Sequence, residues 1–255
     1  MKARLASEAA TFLLAVQLLT RLPIPGRIGH SRRLAATPRW LPAVGVLIGA
    51  LTGLAFWLAS LVWPPALAAL ASTAAGLLLT GAFHEDGFAD ACDGLGGGAT
   101  RARALEIMRD SRLGTYGAAG LGLMLAAKIL ALAALPAAAV PLLLVAGHAA
   151  SRASAVAVIA TSVYIRDQGA ARPMARGLRP RGLALALGTG GLALLATAIV
   201  LPPAAVVGAL LGLVSGHVVM RARFERRLGG YTGDCLGAVQ QTSEIGLYLG
   251  ALACL

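Results

Sequence analysis

From Leu41 to Trp63 the chain reads LPAVGVLIGALTGLAFWLASLVW, without one charged side chain. A helix rises about 1.5 Å per residue, so a run of this length covers the roughly 30 Å hydrocarbon core of a bilayer. Six further apolar runs of similar length follow, near 65–84, 115–134, 137–163, 182–201, 203–220 and 232–254. In a composition 58% hydrophobic and only 13% charged, such runs exclude a soluble domain. The expected fold is all-α: a polytopic integral membrane protein of about seven transmembrane helices, forming a single membrane-embedded domain over residues 1–255.

The connections between the runs alternate in character. Trp63-Pro64-Pro65, Leu135-Pro136 and Leu201-Pro202-Pro203 carry no charge, whereas 21–39, 85–114, 164–181 and 221–231 hold nearly every arginine. The positive-inside rule places those four basic segments in the cytoplasm and the carboxyl terminus outside. A formal net charge of +11 could suggest a nucleic-acid binder, but arginines confined to short loops between apolar runs favour membrane orientation over nucleic acid. The short run Ala9–Leu19 is flanked on both sides by cations, Lys2 and Arg4 before it and Arg21, Arg27, Arg32, Arg33 and Arg39 after it. It therefore reads as a re-entrant or interfacial helix. No cleavable signal pattern is expected there, because Leu22-Pro-Ile-Pro-Gly26 does not resemble a small-residue cleavage site. Gly45, Gly49 and Gly53 repeat at four-residue spacing, which permits close helix approach. Cys92, Cys235 and Cys254 lack metal-site or disulfide-framework spacing and read as structural.

Six of the eleven acidic residues fall between Glu85 and Asp110. Asp86, Asp90 and Asp93 are spaced i, i+4, i+7, one helical face, and like charges so placed call for a cation between them. Magnesium (Mg2+) suits oxygen ligands and is normally shared with substrate phosphates. Gly87 lets a backbone or ligand come close, and Gly94 to Gly98 is expected to end the acid-bearing helix in a flexible turn. Thr100 reads as the N-cap of a second helix, Arg101–Asp110, with Glu106 and Asp110 on one face and Arg109 and Arg112 beyond as phosphate forks; internal salt bridges on a surface helix would explain the same charges. The segment Gly229 to Gly237 has Thr232 as N-cap of the last span and Asp234 in its first turn, where free N–H groups attract anions. Glu244 should lie roughly 15 Å deeper and be paired with Lys128 or Arg152. His148 and His217 read as packing residues, and Arg166, Arg172, Arg176, Arg179 and Arg181 as either substrate contacts or orientation charges.

The pattern His84-x-Asp86-Gly87-x-Ala89-Asp90-x-x-Asp93-Gly94, followed by Arg103-Ala-Leu-Glu106-Ile-Met-Arg109-Asp110-Ser111-Arg112-Leu-Gly114-x-Tyr116-Gly117, closely resembles the cobalamin synthase (adenosylcobinamide-GDP ribazoletransferase) family. Leu19 to Pro25, Gly230 to Ala238 and Glu244 resemble that family's terminal segments. The resemblance implies joining of adenosylcobinamide-GDP to α-ribazole, or α-ribazole 5′-phosphate, with release of GMP. It also implies a bacterial cytoplasmic (inner) membrane location, with the bilayer and those two substrates as partners, no nucleic acid, and room for a homo-oligomer. On this reading Mg2+ is assigned to Asp86, Asp90 and Asp93, phosphate contacts to Arg109 and Arg112, substrate contacts to Gly87 and Thr232, and supporting catalytic roles to Asp110 and Asp234. The base is left between His84 and Glu85. Two other readings fit less well. A CDP-alcohol phosphotransferase usually carries Asp-Gly-x-x-Ala-Arg, whereas this chain reads Asp86-Gly87-Phe88-Ala89-Asp90 and lacks that arginine, and a cation transporter would hold its acids at mid-membrane in repeated halves.

Overall fold

The computed structural model describes residues 2–24, 31–167, 169, 171–175 and 178–255. Pro25, Gly26, Arg27 and Arg176 lie outside them, as do the side chains of Lys2, Arg4 and Arg32. The chain folds into α1 (Lys2–Leu19), α2 (Ser31–Leu34), α3 (Leu41–Ser60), α4 (Pro65–Thr80), α5 (Phe83–Gly97), α6 (Arg101–Ile107), α7 (Thr115–Ala134), α8 (Val140–Thr161), α9 (Arg172–Ala175), α10 (Pro180–Ala196), α11 (Pro203–Leu228) and α12 (Gly233–Ala253), with 3-10 turns at Thr37–Trp40 and Thr197–Ile199. No strand occurs among the described residues, only an isolated bridge between Tyr164 and Tyr231.

All seven apolar runs are helical, but they are not seven equivalent spans. Among the described residues five helices are long and apolar enough to cross a bilayer: Thr37–Ser60, Thr115–Ala134, Val140–Thr161, Pro180–Ile199 and Pro203–Leu228. The run at 65–84 stops at Thr80, where Gly81 (φ 66°) and Ala82 (φ 57°) take left-handed conformations and α5 leaves α4 at 92°. Glycine adopts that conformation freely, whereas for Ala82 it costs about 1–2 kcal/mol. The bend is held from outside the pair: Arg21 N–H donates to Leu79 O at 2.7 Å, and the Arg21 guanidinium lies against Gly81. The seventh run is α12, whose Asp234, Gln240, Gln241 and Glu244 keep it off the apolar set; it is shielded instead by α5, α7, α8 and α11. The apolar part of α1, Ala6–Leu19, is too short to span and packs Ala15, Val16 and Leu19 against the start of α3.

Two further boundaries differ from the sequence reading. The segment 221–231 is not a loop, since α11 continues to Leu228 and stops only at Gly229 (φ 72°), so Arg221, Arg223, Arg226 and Arg227 ride on its last turns. The acid-bearing helix does not end at Gly94 but runs to Gly97. There Gly94 admits Met108 and the Ala104 carbonyl, and Gly96 admits the Tyr116 ring, so these glycines serve packing rather than a turn.

Backbone-to-backbone contact organises the bundle. A Cβ at Gly45, Gly49 or Gly53 would run into the backbone of α8 at His148, Leu144 to Val145 and Pro141, which bears out the small-residue stripe. Gly208, Gly212 and Gly216 of α11 face Gly246, Gly250 and Thr242 of α12 in the same way. Between helices in lipid, such close van der Waals fit replaces the hydrophobic drive. Phe56, Ala69, Leu132, Leu143, Leu194 and Leu247 pack together toward the uncharged prolyl turns. A second cluster, including Phe88, Met108, Met124, Phe224 and Tyr231, lies under the charged connections.

Candidate functional site

At the charged end the first turn of α12 crosses α5 so closely that a Cβ on Gly87 would sit 3.0 Å from Asp234 Cα, and one on Gly237 would sit 2.8 Å from His84 O. Gly87 is thus needed for a close approach, and the partner is the backbone of α12. Thr232 caps α12 as expected: its hydroxyl accepts from Cys235 N–H at 3.4 Å and donates to Asp234 Oδ2 at 3.3 Å. It is fully buried and does not line the cavity between α5, α8 and α12. The loop after α8 is tied to this turn, Tyr231 N–H donating to Val163 O at 2.9 Å and Ile165 N–H to Tyr231 O at 3.1 Å. That brings Arg166 Nη2 to 2.8 Å from Asp234 Oδ2 and 3.1 Å from Met108 O.

Between these elements lies a cavity of about 210 Å³, lined by His84, Asp86, Gly87, Arg152, Arg166 and Asp234 along with apolar residues of α1, α3 and α8. Asp90 is half-buried beside it, outside the five spanning helices. Burial, reinforced by the negative charges of Asp234 and Asp86 and partly offset by Arg166, pushes the Asp90 carboxyl from 3.8 up to about 7. Mutual repulsion of this kind is what a bound cation relieves.

The remaining carboxylates do not join that group. Asp93 accepts Gly114 N–H at 2.7 Å and Gly117 N–H at 2.8 Å, one on each oxygen, at the N-terminus of α7. It caps and locates α7, and among the described residues no set of three or more His, Cys, Asp or Glu side chains forms a ready metal cage. The shared helical face of Asp86, Asp90 and Asp93 therefore exists, but its outer member is engaged by a helix end. Glu85 points inward, its Oε1 accepting Gln241 Nε2 at 2.9 Å.

The second helix is shorter than its charge pattern predicts. Thr100 caps it, accepting Arg103 N–H at 3.2 Å, but α6 ends at Ile107 in i to i+3 turns at Arg109 and Asp110. Glu106 and Asp110 hence share no helical face. Asp110 instead accepts Arg112 N–H at 3.1 Å, its Nε at 3.0 Å and its Nη2 at 2.6 Å. Those hydrogen bonds hold the exposed Asp110 carboxyl down at about 2. A separate open cleft of about 510 Å³ is lined by Asp93, Arg103, Glu106, Asp110, Arg112 and Tyr116. Arg109 is exposed and lines neither space.

Beneath the cavity runs a buried polar network. Glu244 receives Lys128 Nζ at 2.6 Å, Gln240 Nε2 at 2.6 Å and Tyr248 OH at 3.1 Å, with His148 Nδ1 at 3.2 Å. The expected pairing with Lys128 is present, and Arg152 does not take part in it. Gln240 also donates to Ser151 Oγ at 2.8 Å, and Ser154 bridges His217 (2.8 Å) and Ser243 (2.9 Å). His148 and His217 are hydrogen-bonded packing residues, as their isolation in sequence suggests. Gln240 and Gln241 are the members that sequence reasoning missed, although two adjacent amides deep in an apolar run signal a buried network.

The Cobalamin-5-phosphate synthase family model matches residues 11–252. Proteins named adenosylcobinamide-GDP ribazoletransferase are similar over nearly the whole chain. The one from Leptothrix cholodnii is 44% identical, covering 98% of this chain and 98% of its own. That from Ralstonia nicotianae is 44% identical, covering 96% and 95%, and that from Vibrio parahaemolyticus 38%, covering 99% and 95%. No solved structure matches. With the family model and these relatives spanning both the membrane-edge cavity and the helices that build it, the chain belongs to the cobalamin synthase (adenosylcobinamide-GDP ribazoletransferase) family.

Proposed function

We propose that the chain transfers the adenosylcobinamide-phosphate moiety of adenosylcobinamide-GDP to α-ribazole or α-ribazole 5′-phosphate, a late step of cobalamin biosynthesis, at the cytoplasmic face of the bacterial inner membrane. The observation that carries this reading is the cavity that brings Asp86, Asp234 and Arg166 to one place beside Asp90, in a member of this family. The reaction needs few groups. A ribose hydroxyl oxygen bonds to the phosphorus bearing the cobinamide, the bond from that phosphorus to the bridging oxygen breaks, and GMP leaves with the electron pair.

Asp86 and Asp90 offer hard oxygen donors that fit Mg2+, Asp90 being raised by burial and then by its carboxylate neighbours, and these two are the residues that would hold it, with Asp93 fixing α7 beneath them. When bound, Mg2+ would neutralise charge on the diphosphate and on the departing GMP. Arg166 is placed to hold phosphoryl oxygens by exchanging its bond to Asp234 for one to substrate. Asp234 Oδ2 is engaged by Arg166 and Thr232, which leaves Oδ1 to take the proton from the ribose hydroxyl. His84 Nδ1 faces Arg152 Nη2 at 3.5 Å, an arrangement that uses that nitrogen as an acceptor and so suits orientation of substrate better than proton removal. Glu85, turned to Gln241, supports the fold of the site.

Purified protein in lipid nanodiscs, given adenosylcobinamide-GDP, α-ribazole and Mg2+, should release GMP and form adenosylcobalamin. Absence of GMP release, with CMP release from a CDP-alcohol in its place, would overturn the reading.

A further inference from the structure

Arg152 is 2% exposed, in the middle of α8, yet none of the ion pairs among the described residues includes it. Glu244 and Glu85 lie near enough to act on it through charge, but neither forms an ion pair with it: Glu244 is bonded to Lys128, Gln240, His148 and Tyr248, and Glu85 to Gln241 through Oε1. What Arg152 has is weaker. Its Nη1 donates to His148 O at 2.9 Å and meets His148 Nδ1 at 3.2 Å, its Nη2 meets His84 Nδ1 at 3.5 Å, and its buried Nε has no hydrogen-bond partner. Arginine cannot shed its proton to escape such a position. A guanidinium held out of water with no carboxylate in direct contact is incompletely compensated, and an arriving anion that pairs with it directly offsets that cost. The same side chain lines the cavity that holds Asp86, Arg166 and Asp234.

We propose that Arg152 is the inner phosphate-binding residue of this cavity, its fork receiving oxygens of a diphosphate ester while Arg166 holds the outer side. The assignment rests on the transfer reading above and deepens it. Arg152 lies nine residues before the end of α8 at Thr161, roughly 13 Å along the helix. The diphosphate is therefore drawn inward from the membrane edge, between α5 and α8, rather than lying on the surface cleft beside Asp110. His84 and His148 hold the guanidinium at the cavity wall in the meantime, and the anion satisfies the groups they leave open.

The test uses the full chain in nanodiscs with Arg152→Met, which removes the buried charge at similar volume, and Arg152→Lys, which keeps charge without the fork. Thermal stabilisation by inorganic pyrophosphate and Kd for adenosylcobinamide-GDP and for phosphate-free adenosylcobinamide are measured. The Met variant should melt no lower than wild type in the absence of ligand, lose its response to pyrophosphate, and bind adenosylcobinamide as before. The Lys variant should bind adenosylcobinamide-GDP weaker by roughly 10- to 150-fold, the worth of a charged hydrogen bond, with binding of adenosylcobinamide unchanged. Should the Met variant fail to fold, the Lys variant decides alone. Unchanged diphosphate affinity in a folded variant, or equal loss for both corrinoids, overturns the role of Arg152. Failure of the transfer reading itself is separable, because wild type would then release no GMP.

Discussion

Asp90 is the residue whose chemistry depends most on its neighbours. Its carboxyl is raised to about 7 in the fold, by burial and by Asp234 and Asp86, against 3.8 ordinarily. The protonated form is thus favoured by folding, and this contribution is present at low pH and is lost as pH rises from about 4 through about 7. In EDTA, the melting temperature should fall between about pH 4 and pH 7, and Asp90→Asn should flatten that slope. Parallel slopes for both proteins would show that the crowding is not felt. The arginines can be ranked in the same way. Arg166 pairs with Asp234 in the cavity while Arg109 lines neither that cavity nor the cleft beside α6, so Arg166→Lys should lower kcat/KM by about 5- to 150-fold, and Arg109→Lys should stay near wild type; steady-state GMP release compares them. The acids at 86, 90 and 93 are legible from spacing alone. The fate of Asp93 is not, because its partners, the N–H groups of Gly114 and Gly117, are supplied by a helix that begins more than twenty residues later. The pairing of Arg166 with Asp234 is equally silent in sequence, since positive-inside orientation accounts for an arginine in that loop just as well.

At the scale of helices, hydropathy locates every long element, since an unbroken apolar run in this composition has one low-energy outcome in lipid. What it misses is the end of α4. Residues 65–84 stay apolar through Phe83, and the stop is made by left-handed Gly81 and Ala82 under the N-terminal segment at Arg21, a tertiary contact. The end of α11 is missed for the opposite reason: arginines look like loop, but nothing breaks the helix before Gly229. Glycines sort by what faces them. A methyl group added at Gly212 would meet the Gly246 carbonyl, whereas one added at Gly122 would find nothing within 4 Å. Gly212→Val should therefore abolish the folded, monodisperse protein. Gly122→Ala should be neutral or raise stability by about 0.5–1 kcal/mol through helix propensity. Thermal melts with size-exclusion profiles distinguish the two, and equal tolerance at both positions would contradict the packing of α11 on α12.

For the whole molecule, the prolyl turns and the charged connections lie at opposite ends, and the proposed orientation puts the charged end in the cytoplasm. A cysteine at Gly97 should resist an impermeant thiol reagent in intact cells and one at Pro64 should react; the reverse pattern would invert the topology. The proposed chemistry belongs to the cavity between α5, α8 and α12 and not to the surface cleft beside α6. GMP release from adenosylcobinamide-GDP and α-ribazole, measured side by side for Asp86→Asn and Asp110→Asn in nanodiscs, separates the two locations. With the active site in the cavity, Asp86→Asn should lose at least roughly 100-fold, on the scale of removing a group that stabilises transition-state charge, while Asp110→Asn should stay within about threefold of wild type. Near-normal turnover by Asp86→Asn together with collapse of Asp110→Asn would contradict this and move the active site to the cleft.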